Sequence, residues 1–177
     1  GRDAIREIVV GLMDLPRSPD SDARGEALRQ LLTRHPSLAS DEPFLLDLLD
    51  LPQSVGGETL YTAMDNAARQ RGRAGAVVHL LERVCADAPV VVIVEDVHWA
   101  DKVTLDYVAA LTRGVGTMSA VLALTSRVAG DPLDAAWRGS VQGSPFITID
   151  LGPLGTTDAL ALAGGFLSAP SAFAKKC

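Results

Sequence analysis

Cysteine is scarce in this 177-residue chain: Cys85 and the final residue, Cys177, are its two. Neither has the closely spaced Cys or His neighbours that a disulfide framework or a zinc site needs, so a reducing cytoplasm is the expected compartment. Long apolar runs are missing as well. None approaches the roughly 20 residues of a membrane-spanning helix, and the N-terminus has no basic segment leading into an apolar one, as a secretory signal would. Positive charge is in deficit: 16 Lys and Arg stand against 22 Asp and Glu, a net charge of -6. That balance argues against a nucleic-acid surface, which needs clustered cations on phosphates; an acidic surface also serves to keep a protein soluble. Aromatics make up 5% of the residues. The apolar volume therefore falls to Leu, Val and Ala, which suits helices packed on a buried sheet, and the length is enough for one domain with its own core.

The first half reads as helical. Ile5, Ile8, Val9 and Leu12 share one helix face, and Pro16 ends that helix. A polar turn follows over 16–21. Ser21 can cap a second helix, with Ala27, Leu28, Leu31 and Leu32 turned inward, ending before Pro36. A short helix is expected over 43–49 with Pro43 in its first turn, then a loop over 52–57. A long helix over 59–84 is weakened by Gly72 and Gly75, at about 1 kcal/mol each relative to Ala, which predicts a kink there.

The second half changes period. Val90 to Val94 is an unbroken β-branched run, apolar on both faces, as a strand buried in a parallel sheet reads. A helix over 103–113 closed by Gly114 follows, then a strand over 119–125, a short helix over 131–138 and a third strand over 146–151. A last helix over 158–167 is capped by Thr156 or Thr157. Alternating strands and helices imply crossovers and a parallel sheet. No internal repeat interrupts the pattern.

The chemistry gathers at the end of the first strand, where Val94 is followed by Glu95-Asp96-Val97-His98-Trp99-Ala100-Asp101. Ligands of open parallel sheets bind beyond the carboxyl ends of strands. Two acids there can hold magnesium and orient a water for attack on a phosphate. They can equally be the anions that the next helix favours at its N-terminus. For His98 and Trp99, packing and a hydrogen bond where the helix begins is preferred to catalysis, and Asp101 is read as the cap of that helix.

The full string resembles the Walker B region of the signalling ATPases called STAND proteins, in the branch reading Glu-Asp-(Leu or Val)-His-Trp-Ala-Asp, found in LuxR-type transcription activators and in multidomain class III adenylate or guanylate cyclases. Thr104-Leu105-Asp106 matches the helix that follows the motif, and Leu124-Thr125-Ser126-Arg127 resembles the strand ending in Thr-x-Arg. Residues 131–138 (Asp-Pro-Leu-Asp-Ala-Ala-Trp-Arg) and Leu151-Gly152-Pro153-Leu154 match later landmarks, the former most like the cyclase-associated proteins. The fit covers about residues 80–165. Lys102 departs from the Pro the family often carries. The resemblance implies Glu95 and Asp96 as the magnesium ligands and catalytic acids, with their division of labour open, and Arg127 as a sensor of the terminal phosphate, its alternative being a solvated loop arginine. ATP and Mg2+ are the implied cofactors.

The phosphate cradle of such a site, Gly-x-x-x-x-Gly-Lys-(Ser or Thr), does not occur in the sequence: neither Gly56-Gly57-Glu58 nor Gly72-Arg73-Ala74-Gly75 leads into Gly-Lys. In the family it would lie upstream of Gly1, and the Gly-x-Pro element of the helical lid would lie beyond Cys177, so a segment of a longer polypeptide is expected. The implied fold is α/β, a partial P-loop NTPase three-layer sandwich with a parallel sheet and a helical N-terminal half. Residues 1–85 would form its helical portion, 86–154 the Walker B and sensor sheet core, and 155–177 the start of the lid. Its partners would be nucleotide and other domains of the same polypeptide, with no direct nucleic acid and no membrane. A noncatalytic interaction domain on the same fold is the competing expectation. With the central strand missing, the strand over 146–151 must leave a gap, pair with 119–125 or borrow a partner, so exposed strand edges predict self-association.

Overall fold

The computed structural model describes residues 2–15, 20–54 and 57–166. The expected turn over 16–21, the loop over 52–57, the end of the last helix and Cys177 fall wholly or partly outside the described residues. The chain is mixed α/β and mostly helical, with a helical first half and a small parallel sheet. Its helices are α1 (Arg2–Leu12), α2 (Ser21–Arg34), α3 (Glu42–Leu48), α4 (Gly57–Ala63), α5 (Asn66–Cys85), α6 (Lys102–Val115), α7 (Ala135–Ser140) and α8 (Thr156–Phe166). The strands are β1 (Val90–Val94) and β2 (Ala120–Leu124), and 3-10 turns occupy Pro36–Asp41 and Val97–Trp99. Contacts divide the chain into two compact units, residues 1–145 and 146–177. None of the described helices is long and apolar enough to cross a membrane.

Aspartate punctuates the helices. Asp20, Asp65, Asp101 and Asp134 stand in extended backbone just before α2, α5, α6 and α7, and each carboxylate accepts the N–H three residues on, at 2.6–2.8 Å. A short acceptor satisfies one of the donors a helix start leaves open. The cap of α2 is thus Asp20 rather than the expected Ser21. At the other end, Asp14 and Asp50 take left-handed backbone (φ 54° and 50°) after α1 and α3. The next N–H folds back in each case, Leu15 onto the Val10 carbonyl at 3.1 Å and Leu51 onto that of Leu46 at 2.8 Å.

The long helix expected over 59–84 is two helices. It breaks at Asp65, whose carboxylate caps α5, and not at the glycines. α5 runs on through Gly72, and the missing side chain makes room for the Phe44 ring of α3: a Cβ there would stand 2.1 Å from Phe44 Cε1. Gly114, expected to close α6, is likewise inside that helix, against Val78.

α5 is the axis of the core. Ala76, Val77, Leu80 and Leu81 are buried among Ile5 and Val9 of α1, Leu28 and Leu31 of α2, Leu45 and Leu48 of α3, and Tyr107 and Leu111 of α6. The other side of α6 packs Val108 and Ala109 against Val97, Leu133, Trp137 and Val141 in a second cluster. β1 and β2 pair in parallel, from Val90 opposite Ala120 to Val94 opposite Leu124, with α6 as the crossover. Val90, Val92, Ala120 and Leu122 face the first cluster.

Two expectations fail here. β1 is apolar on both faces but covered on one: Val91, Ile93 and Val121 are 59–64% exposed on the other. The expected third strand over 146–151 does not form. Taken by itself, the second unit has irregular backbone over 146–155 and then α8. Ile147, Ile149 and Leu151 alternate as a strand requires yet are 76–91% exposed. A strand exists only through a neighbour's hydrogen-bond ladder, and the two-stranded sheet of the described residues consists of β1 and β2.

Candidate functional site

The site expected from the sequence lies where both strands end. β1 hands directly to Glu95 and Asp96, and β2 to Thr125, Ser126 and Arg127. Since Val94 stands opposite Leu124, the two segments leave the sheet side by side at its carboxyl edge. The pairing continues past the strands: the Thr125 N–H donates to the Val94 carbonyl at 3.1 Å, and the Val97 N–H to the Thr125 carbonyl at 2.9 Å.

Asp96 interrupts this ladder. Its backbone is left-handed, with φ 55° and ψ 42°, a region that costs most L-residues about 1–2 kcal/mol and that Asp tolerates better than bulkier side chains. Its N–H turns onto the Thr125 hydroxyl at 3.0 Å. One residue on, Val97 is buried in the second cluster beside Val108 and Trp137. The acid pair is therefore held between a strand end and an anchored apolar side chain. Both residues are exposed; the Asp96 side chain is 67% so.

The turn Val97–Trp99 closes through the Trp99 N–H on the Asp96 carbonyl and the Ala100 N–H on the Val97 carbonyl, both at 2.9 Å. It tucks the His98 ring inward, leaving the side chain 7% exposed, and turns Trp99 outward at 77%. Packing is thus the correct half of the reading of His98. The side-chain hydrogen bond is not made: among the described residues neither ring nitrogen has a partner, and Nδ1 lies 3.7 Å from Asp96 Oδ1. Asp101 does cap α6, accepting both the N–H and the hydroxyl of Thr104 at 2.8 and 2.7 Å. These bonds, the backbone one first, hold its carboxyl below the usual range.

On the β2 side, the Ser126 hydroxyl donates to Asp131 Oδ1 at 2.9 Å, and the same oxygen accepts the Leu133 N–H at 3.2 Å. The loop is thereby tied to the start of the Trp137 helix, whose indole N–H reaches the Leu105 carbonyl of α6 at 3.3 Å. Arg127 is exposed, and its guanidinium has no ion-pair partner among the described residues. The structure thus brings Glu95, Asp96 and Arg127 to one edge. Among the described residues no three His, Cys, Asp or Glu side chains gather as a metal cage; the acids are a pair. Sequence reasoning missed Thr125 as the residue that fixes Asp96. The signal was a β-branched hydroxyl immediately past the end of the neighbouring strand.

No family model matches the chain, and no solved structure matches it. Among curated proteins it is similar to an uncharacterized protein of Rhizobium meliloti (strain 1021), with 33% identity over 97 residues, 54% of this chain and 9% of that protein. The chain thus matches less than a tenth of the length of this relative.

Proposed function

We propose that this chain is part of the ATP-binding and ATP-hydrolysing switch domain of a multidomain signalling regulator of the STAND type, nearest in kind to those joined to class III nucleotide cyclases. One observation carries the reading: Glu95-Asp96 and Thr125-Ser126-Arg127 leave adjacent parallel strands in register at one edge, where open α/β sheets bind ligands. The match to a small part of a much longer protein favours a module within a large polypeptide. On this reading β1 and β2 belong to a larger three-layer sandwich, in which further elements cover their open face and edges, and the domain works in the cytoplasm.

The residues fit the implied group. Magnesium takes one or two carboxylates and fills its other places with water and phosphate, and Glu95 and Asp96 are two exposed carboxylates that neither Lys nor Arg neutralises among the described residues. Bound with ATP, it supplies charge neutralisation at the phosphates. Asp96, fixed by Thr125, orients the attacking water and accepts its proton. Arg127, exposed at the same edge, meets the charge that gathers on the terminal phosphate. In the complete polypeptide Asp96→Asn lowers kcat for ATP by more than it weakens ATP binding, because it removes a group used mainly in the transition state. Unchanged turnover in that variant would end the reading.

A noncatalytic interaction domain is the second reading; it holds if the complete polypeptide, like this sequence, carries no Gly-Lys-(Ser or Thr) cradle. A LuxR-type activator would use the same switch with a different output. Calorimetry with Mg-ATP separates the first two. The 177-residue chain binds weakly or not at all, since the cradle supplies most phosphate contacts, whereas the complete polypeptide binds in the micromolar range if it is an ATPase. Failure of the complete polypeptide to bind selects the interaction domain.

A further inference from the structure

His98 is a buried imidazole with nothing to bond. Its side chain is 7% exposed, and among the described residues neither ring nitrogen has a hydrogen-bond partner. Buried polar groups are nearly always paired, and an unpaired one is a cost that an apolar side chain of similar size would not carry. The ring is confined by its surroundings. The Trp99 ring lies against it at 5.1 Å between centroids, and the turn that carries it is locked by two backbone hydrogen bonds and the buried Val97. The carboxylate of Asp96 lies near it, at 3.7 Å from Nδ1. That separation is too long for a hydrogen bond, but a movement of about 0.8 Å would bring it into range.

We propose that His98 is a positioning residue for Asp96: its Nδ1–H donates to Asp96 Oδ1 when the acid pair takes up a divalent cation, leaving Oδ2 turned to the ion. Carboxylates that hold metals are themselves held by hydrogen-bond donors, and losing such a donor weakens metal binding about 10- to 100-fold. Among the described residues no donor bonds the Asp96 carboxylate: its backbone N–H is engaged by Thr125, and the His98 ring is near but outside hydrogen-bond range. The unsatisfied imidazole is thus the cost of the free state, relieved in the loaded one. This inference rests on the reading of Glu95 and Asp96 as cation ligands, and it assigns the His a role beyond packing.

Mn2+ is the probe, followed through paramagnetic broadening of the protein's proton resonances, with thermal unfolding measured in parallel on the 177-residue chain and the variants His98→Asn, His98→Leu and Asp96→Asn. Asn places an amide N–H close to the position of Nδ1, and Leu fills the space without a donor. We expect His98→Asn to bind Mn2+ as the wild type does and His98→Leu to bind about tenfold more weakly, with a melting temperature equal to or above that of the wild type. A residue used only for packing gives the opposite pattern for His98→Leu: unchanged Mn2+ affinity. That result overturns the proposal while leaving the cation reading intact, provided Asp96→Asn loses binding. Equal losses in His98→Asn and His98→Leu make the imidazole itself a ligand and also overturn the positioning role. If Asp96→Asn binds as the wild type does, the cation reading of the acid pair falls, and this inference with it; if the wild-type chain binds no Mn2+, this inference is overturned, while the nucleotide-linked reading is decided by Mg-ATP calorimetry on the complete polypeptide.

Discussion

Asp96 is fastened to the neighbouring strand rather than its own: its N–H donates to the Thr125 hydroxyl, 29 residues away in sequence, at 3.0 Å. This bond helps to hold left-handed backbone at a residue other than glycine. Thr125→Val keeps the β-branched shape and removes the acceptor. It should cost about 1 kcal/mol, as the loss of one hydrogen bond usually does, while Thr125→Ser should cost little. Urea denaturation measures both. Equal stability of all three proteins would show that water replaces the hydroxyl at no cost.

Gly72 and Gly75 lie one turn apart on α5 and should respond with opposite signs. Open space surrounds Gly75, so Gly75→Ala gains helix propensity and should stabilise by about 0.5–1 kcal/mol. A Cβ on Gly72 meets the Phe44 ring at 2.1 Å, and overpacking of this kind costs about 1–3 kcal/mol. Gly72→Ala should therefore destabilise, and Phe44→Leu in the same chain should recover part of the loss. A stabilised Gly72→Ala would show that the ring moves aside freely.

Asp101 makes the stability of α6 depend on acid. Its folded carboxyl lies below the usual carboxylate range because it accepts from Thr104. A depressed folded pKa means that the stabilisation is complete above the unfolded value, about 3.9, and is lost as the pH falls through the lower folded one. Asn caps without titrating, so Asp101→Asn should flatten this acid limb at little cost near neutral pH. Asp101→Ala should cost about 1 kcal/mol there. Thermal melts between pH 2 and pH 7 decide; an unchanged acid limb in Asp101→Asn would assign it to other carboxylates.

Val91 and Val121 are register partners, and with Ile93 they present an uncovered apolar surface on the sheet. The chain should self-associate through this face and the open strand edges as its concentration rises. Val91→Thr with Ile93→Thr keeps strand propensity while lowering apolarity, and should shift the association to higher concentration. Sedimentation velocity over a concentration series reads this directly, and a wild-type chain that stays monomeric at high concentration removes the idea.

Much of the local structure was legible because it rests on neighbours in sequence. The spacing of Ile5, Val9 and Leu12 marked α1, the β-branched run marked β1, and Asp101 was placed as a cap because a short carboxylate reaches the N–H three residues on. The acid pair and Arg127 were expected at one edge because parallel strands in register carry their carboxyl ends to the same side, and the structure places them so. The break at Asp65 was hidden: two glycines in the same helix drew attention from an aspartate whose side chain competes for the backbone.

Sequence alone determined that the first half is helical, that 90–94 and 120–124 extend, and that two acids follow an apolar strand, since each depends on residues within a turn or two of one another. Tertiary structure alone decided that Gly72 stays helical beneath Phe44, that one face of β1 is left open, that 146–151 forms no strand, and that Asp96 is locked to Thr125 with an unpartnered His98 beside it. Most of these outcomes turn on whether a distant partner arrives at bonding or packing distance. The run of residues around each position is the same whether that partner comes or not.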